Sequence, residues 1–451
     1  MIKSIELENF KAFKNSGKVN LKKINIFVGP NSGGKSSFIK GILTLKNTMD
    51  SRYSESVIDM NNQIGDYTSM VYNHNTNNSI GFSFEFNEEE NKRNNSNIDY
   101  ILFRIADEIS KKSSLDIKDV LDKLVKENEN YLINKIKFYF KKNFDERIVV
   151  NKFSVHYKNN KSLELILEED EYFIKIDEIL IKIPGLIIPE KFYFRINDEV
   201  LIKAEVDELK HISIIYSTFE SIKNKLKKFT DSIIHIEPFR DKPERVEYIT
   251  RLSSLNTVGS TGENIISTLI NSVDDVKDKI NFWLKEFDLA KSIEIKSFGN
   301  STYSLLIKDK QTGIINNLLD VGVGTSQILP IIIEALNSKN NSTLIIEEPE
   351  VHIHPNAQSK LADLFVQCSK DGNKKFIIET HSIFLITQIE ILVAQGKISA
   401  DDVGVYYFQH SNEGATVKDM RLTFNGQFEE EWPSGFFDVN YNLGKMLFKF
   451  M

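Results

Sequence analysis

The stretch that decides the fold is Gly29-Pro-Asn-Ser-Gly-Gly-Lys-Ser36, which fits the pattern G-x-x-x-x-G-K-[ST] and follows the apolar run 24–28. Glycines in such a loop let backbone N–H groups approach phosphate oxygens, and the helix that follows points its positive end at the anion. Phe38, Ile39 and Ile42 then recur on one helical face. We therefore predict a strand, a phosphate-binding loop and a helix, in preference to a chance glycine-rich turn.

The residue types of this loop predict ATP and Mg²⁺ as ligands. Lys35 would reach the β- and γ-phosphates, and the hydroxyl of Ser36 would bind Mg²⁺. The neighbouring backbone would complete the phosphate site. The predicted nucleotide-binding residues of the loop are Asn31, Ser32, Gly33, Gly34, Lys35, Ser36 and Ser37.

A second group of candidate residues follows the apolar run 344–346. In open α/β sheets, ligands bind beyond the carboxyl ends of the strands. Glu347 would hold Mg²⁺ through water, and Glu348 would orient or deprotonate the attacking water. The alternative is an acidic turn that caps the next helix, and the phosphate loop elsewhere in the chain makes that alternative the weaker one.

Composition excludes several classes of protein. The chain has 451 residues, which at about 100–200 residues per domain suggests two to four domains. Its net charge of −7 excludes a uniformly basic nucleic-acid coat but leaves room for a local basic patch. The single cysteine, Cys368, excludes a disulfide scaffold and fits a reducing cytoplasm. The chain shows no signal-peptide core and no apolar run near the roughly 20 residues of a membrane helix, so we expect a soluble, cytoplasmic protein without membrane partners.

The wide separation of Lys35 and Glu347 predicts a nucleotide domain that is split by an insertion. The middle of the chain mixes helical spacing with strand-like alternation. The predicted segments are an N-terminal lobe with the phosphate loop (1–85), an α+β insertion of unknown role (86–230), a C-terminal lobe (231–410) and a tail (411–451).

Further motifs occur in an order that resembles the ABC-type ATPase heads of the SMC and RecF class, and most closely the ATPase module of the overcoming-lysogenization-defect (OLD) family. They are the strand end Asn9–Phe13, the Walker A loop Gly29–Ser37, a divergent signature motif at Asp320–Gln327, Walker B and the D-loop at Glu347–Pro355, and the switch segment Glu379–Ser382. The tail motif that begins at Trp432 is similar to one found in stand-alone ATPases. The resemblance implies an α/β fold: a P-loop NTPase, the ABC ATPase head, with a mixed sheet and helices and an α+β insertion.

The resemblance also implies a mechanism. Two copies would meet head to tail, so that Ser326 of one contacts the ATP held by the Walker A loop of the other. Glu348 would activate water, His381 would sense the γ-phosphate, and hydrolysis would loosen the dimer. Simpler interpretations stay open: Ser326 as a helix N-cap residue, and His381 as a strand-end histidine bonded to a carbonyl.

Some features depart from that pattern. The signature lacks the Leu-Ser-Gly-Gly-Gln run of transporters, so Ser326 is assigned by position, and Gln63 is only a weak candidate for the Q-loop. No Toprim nuclease domain follows His381, so nuclease activity is not expected. His352 and His354 would allow a metal site, although a structural role in the turn is favoured. Residues 135–147 interleave bases with aromatics, which suits either a nucleic-acid surface or an amphipathic face.

Three functions are consistent with the sequence. The first is an ATP-hydrolysing dimeric switch that regulates or recruits a separate effector protein encoded nearby, by family analogy in bacterial antiphage defence. The second is a DNA-repair type of ATPase that clamps duplex DNA. The third is a nucleotide-bound scaffold with negligible turnover.

Overall fold

The computed structural model describes residues 2–51, 58, 65–87, 100–169, 171–249, 257–299 and 301–433. The Q-loop candidate Gln63 and the tail motif from residue 434 onward lie outside these ranges. The chain divides into two compact units. Unit 1 comprises Met1–Asn20, Ser36–Asp231 and His410–Thr416, and unit 2 comprises Leu21–Lys35, Ser232–Gln409 and Val417–Met451.

The chain contains both strands and helices, with runs of consecutive strands over residues 2–28 and 133–196. The strands are β1 (Ile2–Phe10), β2 (Phe13–Asn15), β3 (Val19–Asn20), β4 (Ile24–Val28), β5 (Ile80–Phe86), β6 (Ile133–Lys142), β7 (Ile148–Tyr157), β8 (Ser162–Glu168), β9 (Glu171–Ile176), β10 (Ile179–Ile181), β11 (Ile187–Pro189), β12 (Phe194–Ile196), β13 (Ile233–Ile236), β14 (Glu247–Tyr248), β15 (Ser292–Ser297), β16 (Thr302–Lys308), β17 (Ile315–Asn317), β18 (Thr343–Glu347), β19 (Lys375–Glu379), β20 (Val403–Ser411) and β21 (Gly414–Asp419). The α-helices are α1 (Lys35–Asp50), α2 (Tyr67–Met70), α3 (Tyr100–Ser113), α4 (Ile117–Asn128), α5 (Val206–Ser232), α6 (Ile265–Asn271), α7 (Asp274–Glu286), α8 (Val323–Asn337), α9 (Pro355–Asp371) and α10 (Ile383–Ala394).

Unit 1 is built on a nine-stranded sheet in the order β10-β9-β8-β7-β6-β5-β1-β2, with β3 also paired to β1. Its strands alternate buried and exposed residues, as one-sided antiparallel sheets do. The buried face is aromatic: Phe138 packs against Phe153 and Phe192. Because β5 pairs with both β1 and β6, the predicted segment boundary near residue 86 falls between neighbouring strands of one sheet.

Unit 2 contains a six-stranded sheet in the order β13-β18-β19-β4-β20-β21 and a four-stranded sheet made of β14 to β17. The first five strands of the larger sheet are parallel to one another. All residues of β4 and the first four of β18 are buried, which is the pattern of a sheet covered on both faces. Residues of α8, α9 and α10 share one hydrophobic core with these strands. The predicted α/β class with a mixed sheet and helices is confirmed.

The strand register of unit 2 sets where its functional residues lie. Glu347 at the end of β18 is opposite Glu379 at the end of β19, and Glu379 is opposite Phe27 near the end of β4. The carboxyl ends of three parallel strands therefore meet at one edge. Among the helices in the described part of the chain, none has the length and apolar character needed to cross a membrane.

Candidate nucleotide-binding site

The phosphate loop leaves β4 and passes unusually close to the end of β20. A Cβ atom on Gly29 would lie 2.0 Å from the carbonyl oxygen of Phe408, and one on Gly33 would lie 2.7 Å from the same atom. Gly29 also has a φ of +137°, a conformation that side chains disfavour. These two positions therefore need glycine, because any side chain would push the loop away from the sheet.

Lys35 places a buried cation inside this loop. Its side chain is 4% exposed, and its Nζ donates to the carbonyl oxygens of Gly29 and Pro30, both at 3.0 Å. The same nitrogen is 3.9 Å from a carboxylate oxygen of Glu379. Burial lowers the pKa of Lys35, and the charges of Glu379, Glu348 and Glu350 oppose that shift. A buried ammonium group folded over its own loop fits a phosphate ligand, which would offer it stronger acceptors than two neutral carbonyls.

The other predicted loop residues lie where a bound anion would meet them. Asn31 and Ser32 are exposed at the tip of the loop, whereas Gly33 and Gly34 are buried. Ser32 has a φ of +61° and Gly34 of +110°, so the loop turns sharply before the helix. Ser36 and Ser37 follow Lys35 in the first turn of α1, where backbone N–H groups lack partners within the helix.

Glu347 is held by a histidine that the sequence interpretation had not included. The Nε2 atom of His235, on β13, is 2.7 Å from Oε1 of Glu347, and both side chains are largely buried. The sheet order puts β13 beside β18, which brings the two residues together. This contact fixes the orientation of the Glu347 carboxylate.

Glu348 adopts a strained backbone conformation. Its φ is +44°, in the left-handed region that costs a non-glycine residue roughly 1–3 kcal/mol. Its N–H donates to the carbonyl oxygen of Glu379 at 2.8 Å, which ties the end of β18 to the end of β19. Strain of this kind persists only where the surroundings enforce it, and it is concentrated at functional sites.

Arg240 lies beneath these two glutamates and is the second residue that the sequence interpretation missed as a site component. Its side chain is 6% exposed, and Nη2 donates to the carbonyl oxygens of Glu347 at 2.9 Å and Glu348 at 3.4 Å. Burial lowers the pKa of Arg240 to about 10, against the opposing charges of Glu350 and Glu348. The available signal was an arginine just past an apolar strand, in the segment Glu237-Pro-Phe-Arg240.

Glu350 links the acidic segment to the predicted switch histidine. Its Oε1 accepts the backbone N–H of His381 at 2.5 Å, and burial raises its pKa. Although His381 is more than a third exposed, partial desolvation and the charge of Lys35 lower its pKa, and Glu348 opposes that effect. The structure thus brings Lys35, Glu348 and His381 into one electrostatic group. The hydrogen bond to Glu350 uses the backbone of His381, which leaves its imidazole out of this contact.

Ser326 occupies a different part of unit 2. It lies in the first turn of α8, 8% exposed, and its Oγ donates to the carbonyl oxygen of Val323 at 2.8 Å. The N-cap position belongs to Gly322, so the interpretation of Ser326 as the N-cap is wrong. Ser326 lines a cavity of about 670 Å³, together with Asp241 and Glu263.

The histidine pair next to Walker B has a structural role. His354 is the N-cap of α9, and its Nδ1 accepts the N–H of Asn356 at 3.3 Å. His352 has a φ of +63° in the turn before it. No cluster of three or more metal-ligating side chains occurs within the residues the structure describes. The favoured interpretation, a turn-forming pair, accounts for these observations.

Two lysines of the basic stretch 135–147 are paired with carboxylates inside unit 1. Lys135 is 3.0 Å from Glu6, and Lys137 is 3.5 Å from Glu8; both glutamates lie on β1, two strands away from β6 in the sheet. Phe138 and Phe140 of β6 are fully buried. Lys135 and Lys137 are therefore neutralised, and the strand part of the stretch fits the amphipathic interpretation better than a nucleic-acid surface. The turn that follows the strand presents Phe144 to solvent.

Comparison with known proteins identifies the family to which the chain belongs. Residues 1–386 match the family model described as AAA ATPase domain, and residues 398–442 match a protein of unknown function family, DUF3696. The chain is similar to the SMC head domain from Thermotoga maritima (10% identity, 93% of this chain and 99% of that chain, TM-score 0.39). It is also similar to an SmcHead bound to the C-winged helix domain of ScpA (10% identity, 93% and 98%, TM-score 0.43). The search of curated proteins returns no match. Since the first model spans most of the chain and its site is a P-loop facing an acidic strand end, the protein belongs to the AAA ATPase domain family.

Proposed function

We propose that this protein hydrolyses ATP at the carboxyl edge of the six-stranded sheet. The observation that carries the proposal is the convergence there of three separate motifs. The Nζ atom of Lys35 is 3.9 Å from Glu379, whose carbonyl oxygen accepts the N–H of Glu348, and Glu350 accepts the N–H of His381. A buried cation for phosphate, a carboxylate for water and a third polar group are what phosphoryl transfer requires. A structural ion pair would not need the glycine loop around Lys35.

Each residue takes one step of the reaction. Lys35 binds the phosphate oxygens in place of the Gly29 and Pro30 carbonyls. Glu348 orients a water molecule and accepts its proton as the water attacks the γ-phosphorus. Ser36 and Glu347 are the predicted Mg²⁺ ligands; when bound, Mg²⁺ neutralises charge on the phosphate oxygens. His381 contacts the γ-phosphate, and its lowered pKa favours the neutral imidazole there.

We further propose that two copies associate head to tail around ATP, as the resemblance to ABC ATPase heads implies. The position of Ser326 supports this, because it lies in the first turn of α8, where backbone N–H groups lack partners within the helix. In such a dimer the first turn of α8 would offer its N–H groups to the γ-phosphate bound by the partner. Loss of that phosphate would weaken the dimer, so ATP would act as a clamp.

The biological setting follows from the resemblance to the OLD family. We propose that the ATP-dependent dimer regulates or recruits a separate effector in bacterial antiphage defence, within the cytoplasm. Cys368, buried and unpaired, suits a reducing compartment. The alternative of a DNA clamp is less favoured, because Lys135 and Lys137 are engaged by carboxylates and Phe138 and Phe140 are buried. The scaffold hypothesis differs from the switch hypothesis only in the rate of ATP hydrolysis, so a measurement of turnover distinguishes the two.

Steady-state phosphate release from Mg-ATP tests the proposal, with Glu348→Gln as the inactive control. Wild-type turnover that falls by at least about 100-fold in the mutant would support hydrolysis at this site. Turnover that rises with duplex DNA would favour the clamp, and turnover indifferent to DNA would favour a protein partner. ATP binding without phosphate release would overturn the proposal in favour of the scaffold.

A further inference from the structure

Arg240 contacts the backbone of the two glutamates on which the proposed hydrolysis depends. It follows β13, and its Nη2 donates to the carbonyl oxygens of Glu347 and Glu348, at 2.9 and 3.4 Å. The guanidinium group therefore touches the peptide units on both sides of the Glu348 Cα atom. It makes these contacts from the protein interior, since its side chain is 6% exposed.

This arrangement is a poor one for stability alone. The Nε and Nη1 atoms of Arg240 are buried and have no hydrogen-bond partner among the described residues. A buried donor without a partner costs about 1–3 kcal/mol, and a buried charge costs more. A residue retained only for packing would be replaced without loss by an apolar side chain. The cost of Arg240 points to a role in the reaction.

Glu348 needs the support that Arg240 supplies. The φ of Glu348 is +44°, and its N–H is held by the carbonyl oxygen of Glu379. Its own carbonyl accepts from Arg240 and from the N–H of Val351, at 3.4 and 3.3 Å. The backbone on both sides of the strained Cα atom is thus fixed. Because the backbone angles set the direction of Cβ, Arg240 helps to fix the direction in which the Glu348 side chain leaves the backbone.

The segment that carries Arg240 also contacts the signature helix. The side-chain nitrogen of Gln327, one residue after Ser326 in α8, donates to the carbonyl oxygen of Arg240 at 3.4 Å. The loop 258–263 supports this segment, since the backbone N–H groups of Glu237 and Asp241 donate to the carbonyl oxygens of Ser260 and Thr261. One short segment thus connects α8 to the end of β18.

We propose that Arg240 is a positioning residue that holds the Glu348 carboxylate in its hydrolytic orientation and couples that orientation to the signature helix. The inference rests on the proposed ATPase function and adds to it a connection within one chain. Movement of α8 on contact with a second copy would reach Glu348 through Gln327 and Arg240. The dimer would then switch on hydrolysis as well as complete the site.

The test is a mutant cycle in the full-length protein with Arg240→Lys, Glu348→Gln and the double variant. Lysine keeps the charge but cannot reach two carbonyls with the same fixed fork. We expect Arg240→Lys to lower kcat by about 10- to 100-fold, as small misplacements of catalytic groups do, with Kd for ATP unchanged within about threefold. In the Glu348→Gln background the same substitution should lower the residual single-turnover rate by less than about twofold, because its effect passes through Glu348.

Controls separate this inference from the proposed function. Arg195→Lys alters an exposed arginine paired with Glu190 in unit 1 and should leave kcat unchanged. If Arg240→Lys fails to fold, Gln327→Leu removes the contact to the Arg240 carbonyl and should lower kcat about 3- to 10-fold at constant Kd. Wild-type kcat in the folded variant, or losses that multiply with Glu348→Gln, would overturn the inference alone. Absence of turnover in the wild type would overturn the proposed function itself.

Discussion

In the sheet of unit 2, one buried lysine lies near the carboxyl ends of the parallel strands and another near their amino ends. We call these ends the functional edge and the structural edge, because the first lysine belongs to the proposed ATP site and the second stabilises a helix. Lys35 follows the carboxyl end of β4, whereas Lys374 directly precedes β19 at the opposite edge; each is 4% exposed. Lys374 donates to the carbonyl oxygens of Ala335 and Leu336 in the last turn of α8, at 2.7 and 3.2 Å. Equal burial of the same residue type thus serves a phosphate site at one edge and a helix C-terminus at the other.

The difference lies in what surrounds each cation. Lys35 lies in a loop of glycines with positive φ and faces the carboxylates of Glu379, Glu348 and Glu350. Lys374 caps a regular helix, near the single buried carboxylate of Glu334. A backbone that approaches closely enough to bind an anion, together with several converging carboxylates, marks the functional edge. Burial and a lowered pKa, which both lysines share, do not distinguish the two.

The largest effect should follow from removing the cation at the functional edge. Lys35→Ala deletes the ammonium group that would bind the phosphates, so we expect ATP binding to fall below detection, a loss of at least about 100-fold in Kd. Titration of a fluorescent ATP analogue measures this directly. Lys374→Ala is the matched control, with the same burial and the same substitution, and its folded fraction should bind ATP normally. Equal loss in both variants would show that the two edges are not distinct.

The next effect concerns the base at the same edge. Glu348→Gln keeps the size and the backbone contacts of the side chain but cannot accept a proton, so kcat should fall by about 10²- to 10⁴-fold. ATP binding should persist, and sedimentation with Mg-ATP should detect a longer-lived dimer than the wild type forms. Hydrolysis at the wild-type rate would show that another group is the base.

The sequence predicts some residues of the functional edge but not others. The phosphate loop and the acidic strand end were identified from local residue types, because the chemistry needs those residues in consecutive positions. Arg240 and His235 were not, because they join the site only through the pairing of β13 with β18, a register that no local pattern encodes. The same holds for unit 1, where the alternation in β7 and β8 predicted strands but not the sheet order that places β7 between β6 and β8.

At the structural edge, the buried carboxyl group of Glu334 makes the free energy of unfolding depend on pH. Burial raises the pKa of Glu334 to about 7, and the bond from the Val258 N–H and the charge of Lys374 oppose the shift. The folded state therefore holds a proton that the unfolded state releases above its ordinary pKa near 4.5. The contribution of this proton to the free energy of unfolding is fully present below pH 4.5, declines as the pH rises toward 7, and is lost above pH 7.

Glu334→Gln removes that titration while keeping a carbonyl oxygen for the Val258 N–H. The free energy of unfolding of the wild type, relative to the variant, should fall by about 3 kcal/mol between pH 4.5 and 7.5, from the pKa difference. Urea unfolding at several pH values measures it. A pH-independent difference between the two proteins would contradict a protonated Glu334 in the folded state.

The smallest expected effect concerns Lys374 at the structural edge. Lys374→Met keeps the apolar stem and removes the ammonium group from the Ala335 and Leu336 carbonyls. Loss of a cation at a helix C-terminus, offset in part by relief of its burial, should lower the free energy of unfolding by about 1–2 kcal/mol.

The pKa of Glu334 should rise further in this variant, because Lys374 opposes its protonation. The pH dependence of urea unfolding would then extend to higher pH, while kcat and Kd for ATP stay at their wild-type values. A change in kcat would mean that the two edges communicate through α8, the same helix that contacts Arg240 through Gln327.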